Sequence, residues 1–89
     1  IADIIAERYR LFDALSQQKG VLEVFPSETN FILFRVADAS NLYSSLAEAG
    51  VVVRNRSSQY NCAETLRVTI GTEAENNRFL TQLKQFYND

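Results

Sequence analysis

Two arginines have the residue type and spacing to bind an anion. Arg67 lies inside an apolar run, LRVTIGT at residues 66–72, and Arg54 directly follows the β-branched run at residues 51–53. Because side chains alternate between the two faces of a strand, Arg67 is predicted to lie on the face opposite to its apolar neighbours. A guanidinium can hold a carboxylate or a phosphate through two parallel hydrogen bonds. Since strands joined by a short connection are usually adjacent, the two arginines are predicted to converge on one anion.

A simpler interpretation is available for each of these polar residues. Most arginines are solvated surface charges, and on pattern alone this interpretation is the commoner one for Arg67 and Arg54. Arg56, in a polar loop, is predicted to be such a charge. Asn30 is typical of a turn, and Cys62 has no acid–base neighbour that would activate its thiol. The residues alone therefore indicate one candidate anion site and no catalytic residue.

The composition excludes several classes of function. The chain has no histidine and one cysteine, which rules out a histidine-based triad, a cysteine–histidine pair or a zinc site built by these 89 residues. One cysteine cannot form an internal disulfide, which fits a reducing compartment and predicts a cytoplasmic protein. A net charge of −2 argues against nucleic acid or an anionic membrane as a partner. No metal or cofactor ligand is predicted within the chain.

The hydrophobic pattern predicts one domain, residues 1–89, that contains three helices and four strands. The first helix is expected to end at Gly20 and to bury residues spaced by three and four: Ile1, Ile4, Ile5, Tyr9, Phe12 and Leu15. Strands are predicted at residues 21–25, 29–36, 51–53 and 66–70. The second of these is apolar on both faces, so it is expected at the centre of the sheet.

The remaining two helices carry recognisable start signals. The second is predicted to be capped by Asp38 or Ser40 and to bury four residues: Leu42, Tyr43, Leu46 and Ala49. The third begins with Thr72 and Glu75, which have the spacing of a capping box. This order of elements predicts the α+β class: a two-layer sandwich in which helices cover a small, mainly antiparallel sheet.

The same residues carry a resemblance to a known family. The sequence VVVR at residues 51–54, the polar loop, and LRVTIGT at 66–72 resemble the C-terminal part of histidinol-phosphate aminotransferases. The sequence PSETNFIL at residues 26–33 is similar to the stretch that enters that family's small-domain sheet. The resemblance extends over all 89 residues. It implies the C-terminal small domain of a longer, fold-type-I aminotransferase, an expectation that the uncapped first helix and the missing initial methionine also favour.

The resemblance also implies a function for the two arginines. In the superfamily, the residue that matches Arg67 binds the substrate α-carboxylate, and in the histidinol-phosphate branch the matches of both Arg54 and Arg67 contact the substrate phosphate. The implied reaction transfers an amino group between histidinol phosphate and 2-oxoglutarate. The implied cofactor is pyridoxal 5'-phosphate, held by a large domain outside this chain in a homodimer. The 89 residues alone are therefore expected to be inactive.

Two alternatives remain open at this point. An aromatic or broad-specificity aminotransferase, or an amino-acid-phosphate decarboxylase, would use Arg67 on a carboxylate or phosphate and would not require Arg54. A stand-alone α+β interaction or regulatory module would require neither arginine. The substrate, if there is one, is expected to be a phosphorylated amino alcohol or an amino acid.

Overall fold

The computed structural model describes residues 4–26, 30–56 and 63–88. Within them, helices and strands follow the predicted order: α1 Ile4–Gln17, β1 Val21–Phe25, β2 Phe31–Val36, α2 Ala39–Glu48, β3 Val53–Asn55, β4 Thr65–Thr69 and α3 Glu73–Tyr87. The prediction of element types is therefore confirmed. The third strand is displaced, because it begins at Val53 and includes Arg54 instead of ending before it.

The four strands form one antiparallel sheet in the order β1-β2-β4-β3. The apolar strand β2 lies between β1 and β4, which confirms its predicted central position. Strand β4 is the other central strand, with β3 at the edge. As a result, β4 is paired along both sides, and any side chain that it carries is held by two neighbouring strands.

The three helices pack on one face of this sheet. On that face, Ile32 and Phe34 of β2 and Leu66 of β4 are fully buried, and the Phe34 ring meets the Phe79 ring edge-on at 5.8 Å. The helices add seven buried apolar side chains, two from α1, three from α2 and two from α3. In chain order they are Leu11, Leu15, Ala39, Leu42, Leu46, Phe79 and Leu83. Because they all join a single core, the α+β two-layer sandwich is confirmed.

The opposite face of the sheet carries no helix among the described residues, and we call it the helix-free face. Alternation and strand register place the following side chains on it: Glu23, Phe25, Phe31, Leu33, Arg35, Arg54, Thr65, Arg67 and Thr69. Only Thr65 is fully buried. The sheet thus separates an apolar, helix-covered side from a side rich in arginine.

The predicted inward face of α1 is wrong at its start. Ile5 and Tyr9 are 60% and 67% exposed, and Ile4 is also exposed, whereas Leu11 and Leu15 are fully buried. The first turns of the helix instead direct Glu7 toward α3, where its carboxylate accepts a hydrogen bond from Asn76 at 2.8 Å. At its start the helix therefore turns a polar side chain toward α3, and the early apolar residues lie outside the core.

The predicted N-cap position of α2 is confirmed at Asp38, but no side-chain cap forms there. Asp38 is the N-cap residue, but it adopts a left-handed conformation and its carboxylate accepts from the Asn41 side chain instead of a helix N–H. Ser40 lies within the helix. The Ala39 N–H donates to the Glu64 carboxylate at 2.9 Å, so a residue 25 positions later caps this helix. Tyr43, predicted to be inward, is 37% exposed.

The capping box of α3 is confirmed. The Thr72 hydroxyl accepts from the Glu75 N–H at 3.2 Å, and the Glu75 carboxylate accepts from the Thr72 N–H at 2.9 Å. The hydrogen bonds from Thr72 lower the pKa of Glu75 below its ordinary value. The N-cap residue Thr72 lies three residues after the end of the arginine-bearing strand β4.

Replacing Thr72 with alanine is expected to lower the free energy of unfolding by about 1 kcal/mol, since the Glu75 N–H loses its partner. Urea denaturation of the chain measures this change. Thr81→Ala is the matched control, because Thr81 is an exposed residue in the interior of α3 with no capping role. Equal losses in the two variants would contradict the cap.

Candidate anion-binding site

Arg54 and Arg67 are direct cross-strand partners in the β3–β4 pair. Directly opposed residues of an antiparallel pair project from the same face of the sheet, with Cβ atoms about 5 Å apart. The prediction that the two arginines lie side by side is therefore confirmed, and both lie on the helix-free face. On its other side Arg67 is opposed by Leu33 of β2.

Arg67 is half-buried and almost without partners. Its Nε atom is buried and has no hydrogen-bond partner, and among the described residues none forms an ion pair with its guanidinium. The Cζ atom lies 5.0 Å from the centroid of the Phe31 ring, within the range of a cation–π interaction. A half-buried arginine that has an aromatic contact and no anion is available to bind one.

The charges around the pair are unbalanced. Two like charges directly opposite each other destabilise a sheet. Within the described strands the only acidic residue is Glu23, and it lies on β1, two strands away from Arg67. An anion bound between Arg54 and Arg67 would relieve their repulsion and would also satisfy their donors. The geometry therefore fits a phosphate or carboxylate ligand.

A third arginine on this face is already engaged. Arg35 donates to the Glu23 carboxylate at 3.4 Å and to the Ala63 carbonyl, and its Cζ lies 5.7 Å from the Phe25 ring centroid. Its contacts contrast with those of the Arg67 guanidinium, whose contact among the described residues is the aromatic one. Arg35 is therefore held by groups of the sheet and its neighbouring turn, whereas Arg67 is not.

Arg56 differs from the solvated loop charge that was predicted. It is half-buried, and its backbone N–H donates to the Thr65 carbonyl at 2.9 Å, which continues the β3–β4 pairing beyond Asn55. Arg56 is therefore paired with β4 and does not belong to the polar loop in which the sequence analysis placed it. Residues 57–62, including Cys62, lie outside the described residues.

Asn76 was missed by the sequence analysis although it anchors the end of β4. Its buried side chain accepts from the Gly71 N–H at 3.0 Å and donates to the Gly71 carbonyl at 3.1 Å and to Glu7 at 2.8 Å. A signal was present, because Asn76 precedes the inward Phe79 by three residues on α3. An amide at an inward helical position requires buried partners.

Glu7 completes this anchor as a charged group. Arg10 donates to its carboxylate at 2.7 Å and 3.1 Å, and these bonds together with the bond from Asn76 lower the pKa of Glu7 to about 2. The carboxylate therefore stays ionised at neutral pH. Through Asn76 it links α1 to α3 and to Gly71, two residues after the end of β4.

No group of three or more histidine, cysteine or acidic side chains in the described ranges could hold a metal ion. No helix formed by these residues is both long and apolar enough to cross a membrane.

Comparison with known proteins places the chain in a family. The family model described as aminotransferase class I and II matches residues 1–83. The histidinol-phosphate aminotransferase of Flavobacterium psychrophilum is 43% identical over 84 residues, which are 94% of this chain and 24% of that protein. The enzyme of the same name from Xanthomonas axonopodis is 44% identical over 85 residues, or 96% of this chain and 23% of that protein. The chain thus spans about a quarter of the length of these relatives.

Solved structures give the same result. The histidinol-phosphate aminotransferase from Clostridium acetobutylicum superposes with a TM-score of 0.87 at 30% identity, over 96% of this chain and 26% of that one. A decarboxylase from Sulfurospirillum multivorans superposes with a TM-score of 0.83 at 31% identity, over 93% of this chain and 25% of that one. In sequence and in fold, the chain belongs to the class I and II aminotransferase family.

Proposed function

We propose that the chain is the C-terminal small domain of a pyridoxal-phosphate-dependent aminotransferase, and that Arg54 and Arg67 bind the phosphate group of its substrate. The observation that carries this proposal is the direct opposition of the two arginines on the helix-free face, with no acidic side chain from the neighbouring described strands between them. A pair of this kind is unfavourable unless it binds an anion.

Phosphate is a better match than carboxylate for this pair. A phosphate dianion has three terminal oxygens, more acceptor sites than one guanidinium can occupy, so two guanidinium groups can bind it together. The relatives from Flavobacterium psychrophilum and Xanthomonas axonopodis also support phosphate as the ligand, since both are histidinol-phosphate aminotransferases. The proposed reaction is amino transfer between histidinol phosphate and 2-oxoglutarate, in a cytoplasmic homodimer.

The chain's own residues do not fit covalent attachment of pyridoxal phosphate beside the arginines. The sequence has two lysines. Lys84 lies on α3, on the side of the sheet opposite to Arg67, and Lys19 lies in the exposed turn between α1 and β1. Bound cofactor supplies the electron sink for amino transfer. We therefore assign its attachment to the rest of the longer polypeptide and expect the 89 residues alone to be inactive.

A second candidate follows from the structural similarity to the Sulfurospirillum decarboxylase. The substrate of an amino-acid-phosphate decarboxylase would bring the same kind of phosphate to the helix-free face. Only the bond broken in the substrate would differ. The two candidates are separated by the products formed from a phosphorylated amino substrate. Amino transfer yields a keto product, whereas decarboxylation releases carbon dioxide.

The substrate preference of an Arg54→Ala variant tests the proposed function. In the full-length protein, kcat/KM for histidinol phosphate is expected to fall about tenfold, because a charged hydrogen bond of about 1.5 kcal/mol is lost. For an unphosphorylated amino acid the change is expected to stay within about twofold, since a carboxylate can be held by Arg67 alone. Steady-state kinetics with both substrates measures the difference.

Arg8→Ala is the control, because Arg8 lies on α1, in the helix layer. It removes the same charge from the chain and is expected to leave both substrates unaffected. Equal losses for both substrates in the Arg54 variant, or no loss for either, would refute phosphate binding by this residue.

A further inference from the structure

Phe31 lies beside Arg67 on the helix-free face. It opens β2 and pairs with Thr69, whereas Leu33, two residues later, directly opposes Arg67. Phe31 is therefore the diagonal neighbour of Arg67, at a separation that an aromatic ring can span. The guanidinium carbon lies 5.0 Å from the centroid of the half-buried ring, within the range of a cation–π contact, so the ring lies on one side of the guanidinium.

Among the described residues, the Phe31 ring is the group that contacts the Arg67 guanidinium and restricts its movement. Arg35, by comparison, is held by a carboxylate, a carbonyl and a ring. No described residue forms a hydrogen bond or an ion pair with the Arg67 guanidinium, and its Nε is buried without a partner. With Nε buried and the ring on one side, the terminal Nη groups are the donors that remain for a ligand.

We infer that Phe31 is a positioning residue: its ring holds the Arg67 guanidinium plane so that the terminal Nη groups face the substrate phosphate. This inference rests on the proposed function. An arginine side chain has many rotamers, and fixing it on binding costs conformational entropy. The neighbouring Phe31 ring restricts the guanidinium before the ligand arrives, so less conformational entropy is lost when phosphate binds.

The test is the affinity of the full-length holoprotein for inorganic phosphate, measured by titration calorimetry. Phe31→Leu removes the aromatic face and is expected to raise the Kd about three- to tenfold, the range of a partly desolvated cation–π contact. Phe31→Tyr keeps the aromatic face and is expected to stay within about twofold of the wild type. Leu33→Ala is the matched control, because it removes apolar contact beside Arg67 without removing a ring, and it is expected to leave the Kd unchanged.

A double-variant cycle separates positioning from a general structural effect. In an Arg67→Ala background, Phe31→Leu is expected to cause no further loss, because the group that it positions is gone. If Arg67→Ala itself leaves the Kd unchanged, both the phosphate site and the role of Phe31 are overturned. If Arg67→Ala weakens binding but Phe31→Leu does not, or weakens it equally in both backgrounds, the role of Phe31 alone is overturned.

Discussion

Arg67→Ala is expected to lower kcat/KM for histidinol phosphate roughly 30-fold to several thousandfold in the full-length enzyme. This corresponds to a loss of about 2–5 kcal/mol of transition-state stabilisation. The loss is larger than for Arg54 because Arg67 is half-buried on a central strand, whereas Arg54 is exposed on an edge strand. Removing a desolvated guanidinium leaves the bound phosphate without its least hydrated partner. Steady-state kinetics with the phosphorylated substrate measures the effect.

Three controls make this result specific. The variant is expected to retain pyridoxal phosphate, as measured by absorbance, since the cofactor is assigned to another part of the protein. Arg67→Lys keeps the charge but loses the two-pronged geometry, so an intermediate loss is expected. The free energy of unfolding is expected to change by less than about 1 kcal/mol, because the repulsion from Arg54 and the attraction to the Phe31 ring are removed together. A loss of activity together with a loss of cofactor or stability would contradict a role in substrate binding.

The arginine pair was predictable because it depends on local alternation. Leu66, Arg67 and Val68 must project from alternate faces of any strand, and the apolar neighbours determine which face is covered. The exact register was not predictable in the same way. Strand β3 begins at Val53 and not at Val51, because the Val51 N–H donates to the Leu46 carbonyl of α2 at 2.9 Å instead of joining the sheet.

Features that depend on distant residues were not predictable from local pattern. Glu64 caps α2 although it lies 25 positions after the first residue of that helix. Glu64 adopts a left-handed conformation in the turn that precedes β4. The contact between Glu7 of α1 and Asn76 of α3 joins residues that are 69 positions apart. Helical spacing shows that one face of a helix is apolar, but it does not show which part of that face the rest of the fold covers.

Gly20→Ala is expected to lower the free energy of unfolding by about 2–5 kcal/mol, from backbone strain and overpacking together. Gly20 has φ of +89°, and a Cβ added there would overlap the Tyr87 ring. That ring cannot easily move, because the Tyr87 hydroxyl donates to the Ala37 carbonyl at 2.7 Å, and the Ala37 N–H donates to the Gly20 carbonyl at 2.8 Å. Burial, reinforced by nearby acidic charge, raises the pKa of Tyr87 to about 12, so this hydroxyl remains a donor at neutral pH.

Gly50→Ala is the matched control for Gly20→Ala. Gly50 also has a positive φ, +79°, but the nearest atom to an added Cβ is a terminal nitrogen of Arg78 at 3.4 Å. Its substitution is expected to cost only the backbone strain, about 1–2 kcal/mol. The excess cost at Gly20 therefore measures the collision with Tyr87, and it is expected to disappear when Tyr87→Leu is already present. Urea denaturation of the four variants measures these terms. Equal costs at the two glycines would show that the Tyr87 ring yields freely, and that the junction of α1, β1 and α3 is not held by this contact.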